Sequence, residues 1–505
     1  MIQKIFKNIL AVALNSVSIA ILGFILVPIL LSKIGLDKYS LIVLVLFLSV
    51  RQGMFAILDF GLPPSISKFT AQYLSYRRNE AINILLSVVF FFYTVVAFLI
   101  IGCFFIFKDF IFKDVLQVSS LYFDEFLSVF SFYIFTYAIQ FYNMAFFAYF
   151  EGLQKFHISK GIEFFSYFVY FLITITLLNL NYGYIEVIYA MISMHILTFV
   201  LNLLFFKYYS NFQFLFQFKS DVVIELIKYS KLIYIGNIAG NLNAYYPKFF
   251  ITTFLGSTYL GIYDIVSKIP NVVKNMLGIA NAVLVPVASE LSARAKEKDN
   301  SKLFLQGLKL NILFYIPFIT VFIFYSEAIL KLWLGIEYIK YSFLMQILML
   351  VPLLSLFISH GGSVLAGINQ KLKEFAYLAW VIMVISLIFM LLTTTEYQLY
   401  GVSISRWIGL IIVLPYVNSI FIKIFDLDTK RYLIMIIIII IEFLLLYIIN
   451  FYILKKIIIH NVFELIIVSI ITYFIYFFVI YFSIYGKNDK EFLKNIKSTL
   501  LKKVK

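Results

Sequence analysis

The chain has 505 residues, 63% of them hydrophobic and only 13% charged, a balance far from that of soluble domains and one that excludes a soluble enzyme. Its formal net charge of +15 is dispersed over many short connections rather than gathered into one stripe, so nucleic acid is excluded as the partner. The single cysteine, Cys103, lies in an apolar run, which leaves neither an intrachain disulfide nor a thiolate metal cluster; no metal or other cofactor is expected.

Taken in chain order, about fourteen apolar runs, each long enough to cross a hydrocarbon layer of roughly 30 Å, alternate with short hydrophilic stretches. They begin near Ile9, Tyr39, Ile84, Glu125, Glu163, Tyr184, Lys231, Leu260, Gly307, Tyr341, Phe375, Tyr400, Tyr432 and Val462. The basic start at Lys4 and Lys7 resembles a signal sequence, but the first run is too long and lacks a small-residue cleavage site, so it reads as a retained helix. The expected fold class is an all-α integral membrane protein. No hydrophilic stretch exceeds about 25 residues, too few for a separate domain, so function must lie among the spans.

Basic residues mark alternate connections: Lys68, Arg77 and Arg78; Lys155 and Lys160; Lys207, Lys219 and Lys228; Arg294, Lys296, Lys298 and Lys302; Lys371 and Lys373; Lys423, Lys430 and Arg431. With the two ends, roughly 27 Lys and Arg stand on that side against about 8 on the other, which places both termini in the cytoplasm. The basic tail, 486–505, reads as a solvated topogenic segment, with an interfacial helix on anionic headgroups as the alternative.

The turn after the first span, Ile34-Gly35-Leu36-Asp37-Lys38-Tyr39-Ser40-Leu41, aligns without gaps with Leu255-Gly256-Ser257-Thr258-Tyr259-Leu260-Gly261-Ile262 after the seventh. Leu62-Pro63-Pro64-Ser65 then faces Leu284-Val285-Pro286-Val287, and Gly152-Leu153-Gln154-Lys155 faces Gly367-Ile368-Asn369-Gln370-Lys371. Six spans, an even number, separate each pair, so the halves form a parallel repeat. The expected organisation is an N-terminal six-helix lobe over 1–210, a C-terminal six-helix lobe over 211–424, an additional helix pair over 425–485 and the tail.

Pro28 followed by Ile34-Gly35 and Tyr39, Leu58-Asp59-Phe60-Gly61-Leu62, Glu151-Gly152-Leu153-Gln154, and Leu255-Gly256 to Tyr263 with Pro286 carry a resemblance. The chain resembles the polysaccharide-synthesis flippases, including O-antigen and capsule repeat-unit exporters, of the multidrug/oligosaccharidyl-lipid/polysaccharide exporter superfamily. Ser40, where many relatives have glycine, and Pro63-Pro64 depart from the pattern. The resemblance implies two lobes in a bacterial plasma membrane around a central cavity lined by spans one, two, seven and eight, working by alternating access.

A charge deep in a span is costly unless it faces protein or water, so such residues are candidates for function. Arg51 stands about twelve residues, or roughly 18 Å of helical rise, into the second span; its alternatives are a cavity role or a pair with Asp59 or another carboxylate. Span seven sets Asn237, Asn241 and Lys248 on one face, weakened by Gly236, Gly240 and Pro247. Span eight carries Asp264, Lys268, Asn271 and Asn275 at helical spacing, with Lys274 adjacent; Asp264 and Lys268 have the spacing of an ion pair, and Asp264 is also a candidate for ion coupling.

On the spans that the resemblance places around the cavity, Arg51, Lys248, Lys268 and Lys274 suit a diphosphate head group. Asn15, Asn237, Asn241, Tyr245 and Tyr246 suit sugar hydroxyls. His195 and His360 read as hydrogen-bonded packing residues or proton carriers, and Glu442 as a helix contact.

The expected function is therefore transfer of a polyprenyl-diphosphate-linked oligosaccharide from the cytoplasmic to the outer leaflet. Its partners would be that lipid-linked oligosaccharide, membrane lipids, a coupling proton or sodium ion, and a polysaccharide polymerase and glycosyltransferases. A multidrug exporter would need a cavity carboxylate in span one, which offers Asn15, Ser16 and Ser18 instead. A peptidoglycan-precursor exporter shares the anionic head, and a membrane polymerase or glycosyltransferase would need a catalytic outer loop that is not present.

Overall fold

An apolar chain in lipid must satisfy its backbone internally, and among the described residues it does so with helix throughout. The computed structural model describes residues 2–51, 53–215, 220–282, 284, 288–289, 297–368, 372–453 and 459–484. Lys219, Pro286, Arg294, Lys296, Lys371 and the basic tail lie outside the described residues. The chain divides into two compact units, 1–265 and 266–505. Eight helical stretches among the described residues are long and apolar enough to cross a membrane.

In the first unit, α1 (Ile2–Phe47) joins the first expected span to the start of the second, with a kink at Gly35 (φ 79°, ψ 169°). Its repeat partner Gly256 has φ 93°, so both aligned turns carry a positive φ that glycine adopts without strain.

The second span does not continue as a helix. The helix ends at Phe47, its last bonds running from the Leu48 and Ser49 N–H groups to Leu44 and Leu46; a 3₁₀ turn covers Met54–Asp59, and Phe60 and Gly61 follow with φ 52° and 70°. Asp59 Oδ1 accepts the Gly61 N–H at 2.7 Å, and Pro63 and Pro64 open α2 (Leu62–Ser75), where a missing N–H costs nothing. A Cβ on Gly61 would lie 2.6 Å from the Ser230 carbonyl, so close helix approach as well as φ demands glycine there.

There follow α3 (Asn79–Asp109) with a π-helical turn at Phe110–Val115, α4 (Phe123–Tyr133), α5 (Thr136–Gly152), α6 (Phe156–Asn179), α7 (Tyr184–Tyr209), α8 (Ser220–Leu255) and α9 (Ser257–Ala282), which begins in this unit. Both α6 and α8 start well before the expected Glu163 and Lys231. α1 packs on α6, α2 on α5, and α6 and α5 both on α7. The interior is aromatic, with Tyr93, Phe126, Phe130, Tyr133, Tyr137 and Phe141 fully buried, whereas Phe98, Leu99 and Ile106 stand exposed as a lipid-facing surface requires.

The second unit holds the rest of α9, then α10 (Glu297–Phe324), α11 (Ser326–Leu334), α12 (Ser342–Gly367), α13 (Leu372–Ile424), α14 (Thr429–Ile453) and α15 (Val462–Ile484). α13 merges the eleventh and twelfth expected spans across a kink at Gln398 (φ 47°). Phe304 of α10 stacks at 4.5 Å on Phe425, just past the end of α13, in a core that includes Leu308, Ile312 and Phe421. Glu442 of α14 lies near Ser483 of α15, where a contact between helices is expected of it.

Candidate functional site

Breaking a membrane helix frees backbone groups, and polar side chains must meet them. α5 presents Thr136, Gln140 and Asn143 at i, i+4 and i+7, on one face and nearly fully buried. Gln140 Oε1 accepts the Val50 N–H at 3.0 Å, while Gln140 Nε2 donates to Thr136 Oγ1 at 3.0 Å and to the Tyr133 hydroxyl at 3.4 Å. The Tyr137 hydroxyl donates to the Leu48 carbonyl. The interruption is thus pinned on both sides of Ser49.

Arg51 stands in this interruption, which corrects its expected place on a continuous helical face: the helix has already ended when the chain reaches it. Its guanidinium Nη2 lies 3.0 Å from Glu163 Oε1 and its face covers the Phe147 ring at 4.3 Å. Of the two alternatives read from sequence, the pair with a carboxylate is present, but the partner is Glu163 of α6; Asp59 is turned to its own Gly61. The guanidinium side chain nevertheless remains 27% exposed, against 12% for Glu163.

Around Glu163 the other charges alternate. Asn15 Nδ2 donates to Oε2 at 3.1 Å, Lys160 Nζ lies 3.7 Å from the same oxygen, and Lys160 also meets Glu151 Oε1 at 3.0 Å. Beside this group lies a cavity of about 90 Å³, walled in part by Ser49, Arg51, Glu163, Ser166, Tyr167 and His195. His195 shares a hydrogen bond with the Tyr133 hydroxyl at 3.3 Å, and its carbonyl accepts Asn143 Nδ2 at 3.3 Å, so it is packed by hydrogen bonds as read, yet it also faces polar space.

A second cluster forms around Asp264. Lys248 Nζ is 3.1 Å from Oδ1 and the Tyr39 hydroxyl donates to Oδ2 at 2.9 Å. Along α9 the ion-pair spacing points to Lys268; Asp264 also draws bonds from Lys248 on α8 and Tyr39 on α1, because neighbouring helices bring their polar groups into reach. Close by, Thr258 Oγ1 donates to Asp37 at 2.8 Å, and Ser40 packs directly on Gly261, its partner in the repeat.

The remaining candidates are dispersed. Asn241 is half-buried on α8, and the Asn237 side chain lies outside the described residues. Lys268 and Lys274 belong to the second unit, both on α9. There His360 is buried between Asn311 (3.0 Å) and the Phe304 carbonyl (2.8 Å), and Asn311 reaches Asn281 at 2.7 Å, a hydrogen-bonded core as the sequence suggested. Among the described residues no cluster of three His, Cys, Asp or Glu is placed to hold a metal ion.

Glu163 is the residue the sequence reading passed over, having taken it as the start of a span. Its signal was there: Glu163, Ser166, Tyr167 and Tyr170 fall at i, i+3, i+4 and i+7, a polar face on an otherwise apolar helix.

Comparison with solved structures finds the same fold in lipid II flippase MurJ in an inward closed conformation. The TM-score is 0.71 at 16% identity, covering 93% of this chain and 99% of that one. An inward-facing MATE-family multidrug resistance transporter of the MOP superfamily matches with a TM-score of 0.67 at 13% identity, over 82% of this chain and 96% of that one. A Vibrio cholerae MATE transporter matches at 0.56 and 10% identity, over 85% and 98%. No curated protein matches by sequence. These likenesses establish a multi-pass membrane transporter fold. Residues 72–343, more than half of the chain, match the family described as polysaccharide biosynthesis protein, and the chain belongs to that family.

Proposed function

We propose that the protein is a flippase of a bacterial plasma membrane, carrying a polyprenyl-diphosphate-linked oligosaccharide, a repeat unit of O-antigen or of a capsular or exported polysaccharide, from the cytoplasmic to the outer leaflet. Arg51 is the observation that carries this reading: a partly exposed guanidinium, set in a pinned break of a membrane segment, is a planar fork suited to phosphate oxygens. Lys248, Lys268 and Lys274 add positive charge for the head group. Asn15, Asn237 and Asn241 serve its polar groups, and Asp264 serves a coupling proton or sodium ion. Both termini are cytoplasmic in this reading, the lobes 1–210 and 211–424 alternate access, and no covalent chemistry is needed. A polysaccharide polymerase and glycosyltransferases would act on either side of the step.

The likeness to a lipid II flippase favours a peptidoglycan precursor as the second reading, since the fold serves that substrate there. The test is transbilayer movement of a fluorescent polyprenyl-diphosphate oligosaccharide in proteoliposomes, with lipid II as the competing cargo. Losing one charge-assisted contact of about 1.5–3 kcal/mol, Arg51→Ala is expected to slow movement about 10- to 100-fold at matched reconstitution. Movement of lipid II alone would shift the substrate to the second reading, and movement of neither would refute both.

A further inference from the structure

The two oxygens of Glu163 are used differently. Oε1 faces Arg51 at 3.0 Å, while Oε2 faces Asn15 at 3.1 Å and Lys160 at 3.7 Å. If Arg51 leaves, the carboxylate keeps both partners of its second oxygen and is not stranded as an unpaired buried charge, the outcome that makes breaking a buried pair so costly. Lys160 is steadied meanwhile by Glu151 at 3.0 Å. Arg51 in turn keeps the Phe147 ring beneath it, so its position does not depend on Glu163 alone. Among the described residues, Glu163 is the one carboxylate within ion-pair reach of Arg51.

We propose that Glu163 is an internal counter-ion to Arg51, occupying the guanidinium in the empty carrier and handing it over to an anionic head group that displaces it. This rests on the flippase reading. Glu163 is a positioning residue: it never touches cargo, and it acts by setting how strong an anion must be to claim Arg51. A weakly charged lipid leaves the pair closed. A diphosphate, offering several oxygens to one planar fork, opens it, and Glu163 stays held by Asn15 and Lys160. When the head group leaves, Glu163 returns and prevents rebinding, so the exchange favours release as well as selection. Affinity spent on holding cargo equally in every state would not speed transport.

Two variants separate this role from a structural one because they move affinity in opposite directions. Glu163→Gln keeps shape and the Asn15 bond but removes the competing charge. It is expected to lower the half-saturating concentration of cargo and to reduce maximal rate, each by about 10-fold. Lys160→Met keeps the Arg51 pair and the Asn15 bond but weakens what holds Glu163 once Arg51 is claimed by cargo, and is expected to raise the half-saturating concentration about 5-fold. Glu163→Asp is expected to restore parental behaviour in large part.

An independent measurement is the rate at which an arginine-selective dicarbonyl modifies Arg51, followed by mass spectrometry in detergent. The rate should rise in Glu163→Gln, and inorganic pyrophosphate should slow it in both proteins. Equal modification rates in parent and Glu163→Gln, or affinity weakened by both Glu163→Gln and Lys160→Met, would overturn the exchange even with transport intact. Should Glu163→Gln fail to fold, pyrophosphate that leaves Arg51 modification unchanged in the parent would overturn it equally. If the parent moves no lipid-linked glycan, the flippase reading fails, while the modification arm still decides whether Glu163 guards Arg51.

Discussion

Replacing Gln140 with Leu tests the idea that a distant side chain holds the broken segment in shape. Gln140 is 1% exposed and accepts the N–H of Val50, itself fully buried. Leucine matches glutamine closely in volume, so no cavity opens and the main cost is an orphaned buried N–H, about 1–3 kcal/mol. Thr136 and Tyr133 lose a donor but, as hydroxyls, can turn to other partners; Thr136 already donates to the Tyr133 carbonyl at 2.7 Å. A net loss of about 2 kcal/mol is a roughly 30-fold change in the folded equilibrium. The assay is the temperature at which monodisperse protein is lost on heating in detergent. Thr136→Val, which removes a Gln140 acceptor without orphaning Val50, should lower that midpoint by less. Parental stability in Gln140→Leu, or the reverse order of the two variants, would refute the pinning.

Gly61→Ala should cost about 2–4 kcal/mol, combining left-handed φ with a Cβ 2.6 Å from the Ser230 carbonyl, whereas Gly102→Ala, where a Cβ meets nothing within 4 Å, should be neutral or stabilising in the same heating assay. Lys248→Met and Asp264→Asn should each destabilise, and a double-mutant cycle between them should return a coupling of about 0.5–3 kcal/mol, since both side chains are largely buried at 3.1 Å. Tyr39→Phe should remove a smaller share, about 1 kcal/mol, measured by the same midpoint. Asn311→Leu, which strips His360 and Asn281 of a buried partner, should lower the midpoint more than Ser359→Ala at the edge of that network.

Hydropathy made the helices legible because lipid demands long apolar runs whatever their packing. Repeat turns were legible for a different reason: Gly35 and Gly256 both take a positive φ, which glycine enters without strain. The break in the second span was hidden. Leu48 to Leu58 is mostly apolar and reads as membrane, while the groups that stabilise the break, Gln140 and Tyr137, lie on another helix. Pro63 and Pro64, odd within a span, are ordinary at the start of α2. Of the site, Arg51 and Asn15 could be picked out because polar groups in apolar runs stand out; their common partner Glu163 could not, as a boundary estimate placed it at a helix end.

A break in a membrane segment needs a reason, since a plain helix would satisfy its own backbone more simply. Here the break lets Arg51 leave a helical face and sit over the Phe147 ring with Nη2 toward Glu163. On an unbroken helix the same residue would project along a direction set by its neighbours' register. In the break, its direction is set by α5, whose residues bond the chain on both sides of Ser49 and supply the ring beneath the guanidinium. The same helix that pins the interruption thus aims its charge. A shift of α5 would move Arg51 directly, whereas a helical arginine would follow its own helix. In the carrier proposed above, coupling of head-group contact to helix movement would rest on one buried glutamine, one tyrosine and one phenylalanine of a single helix.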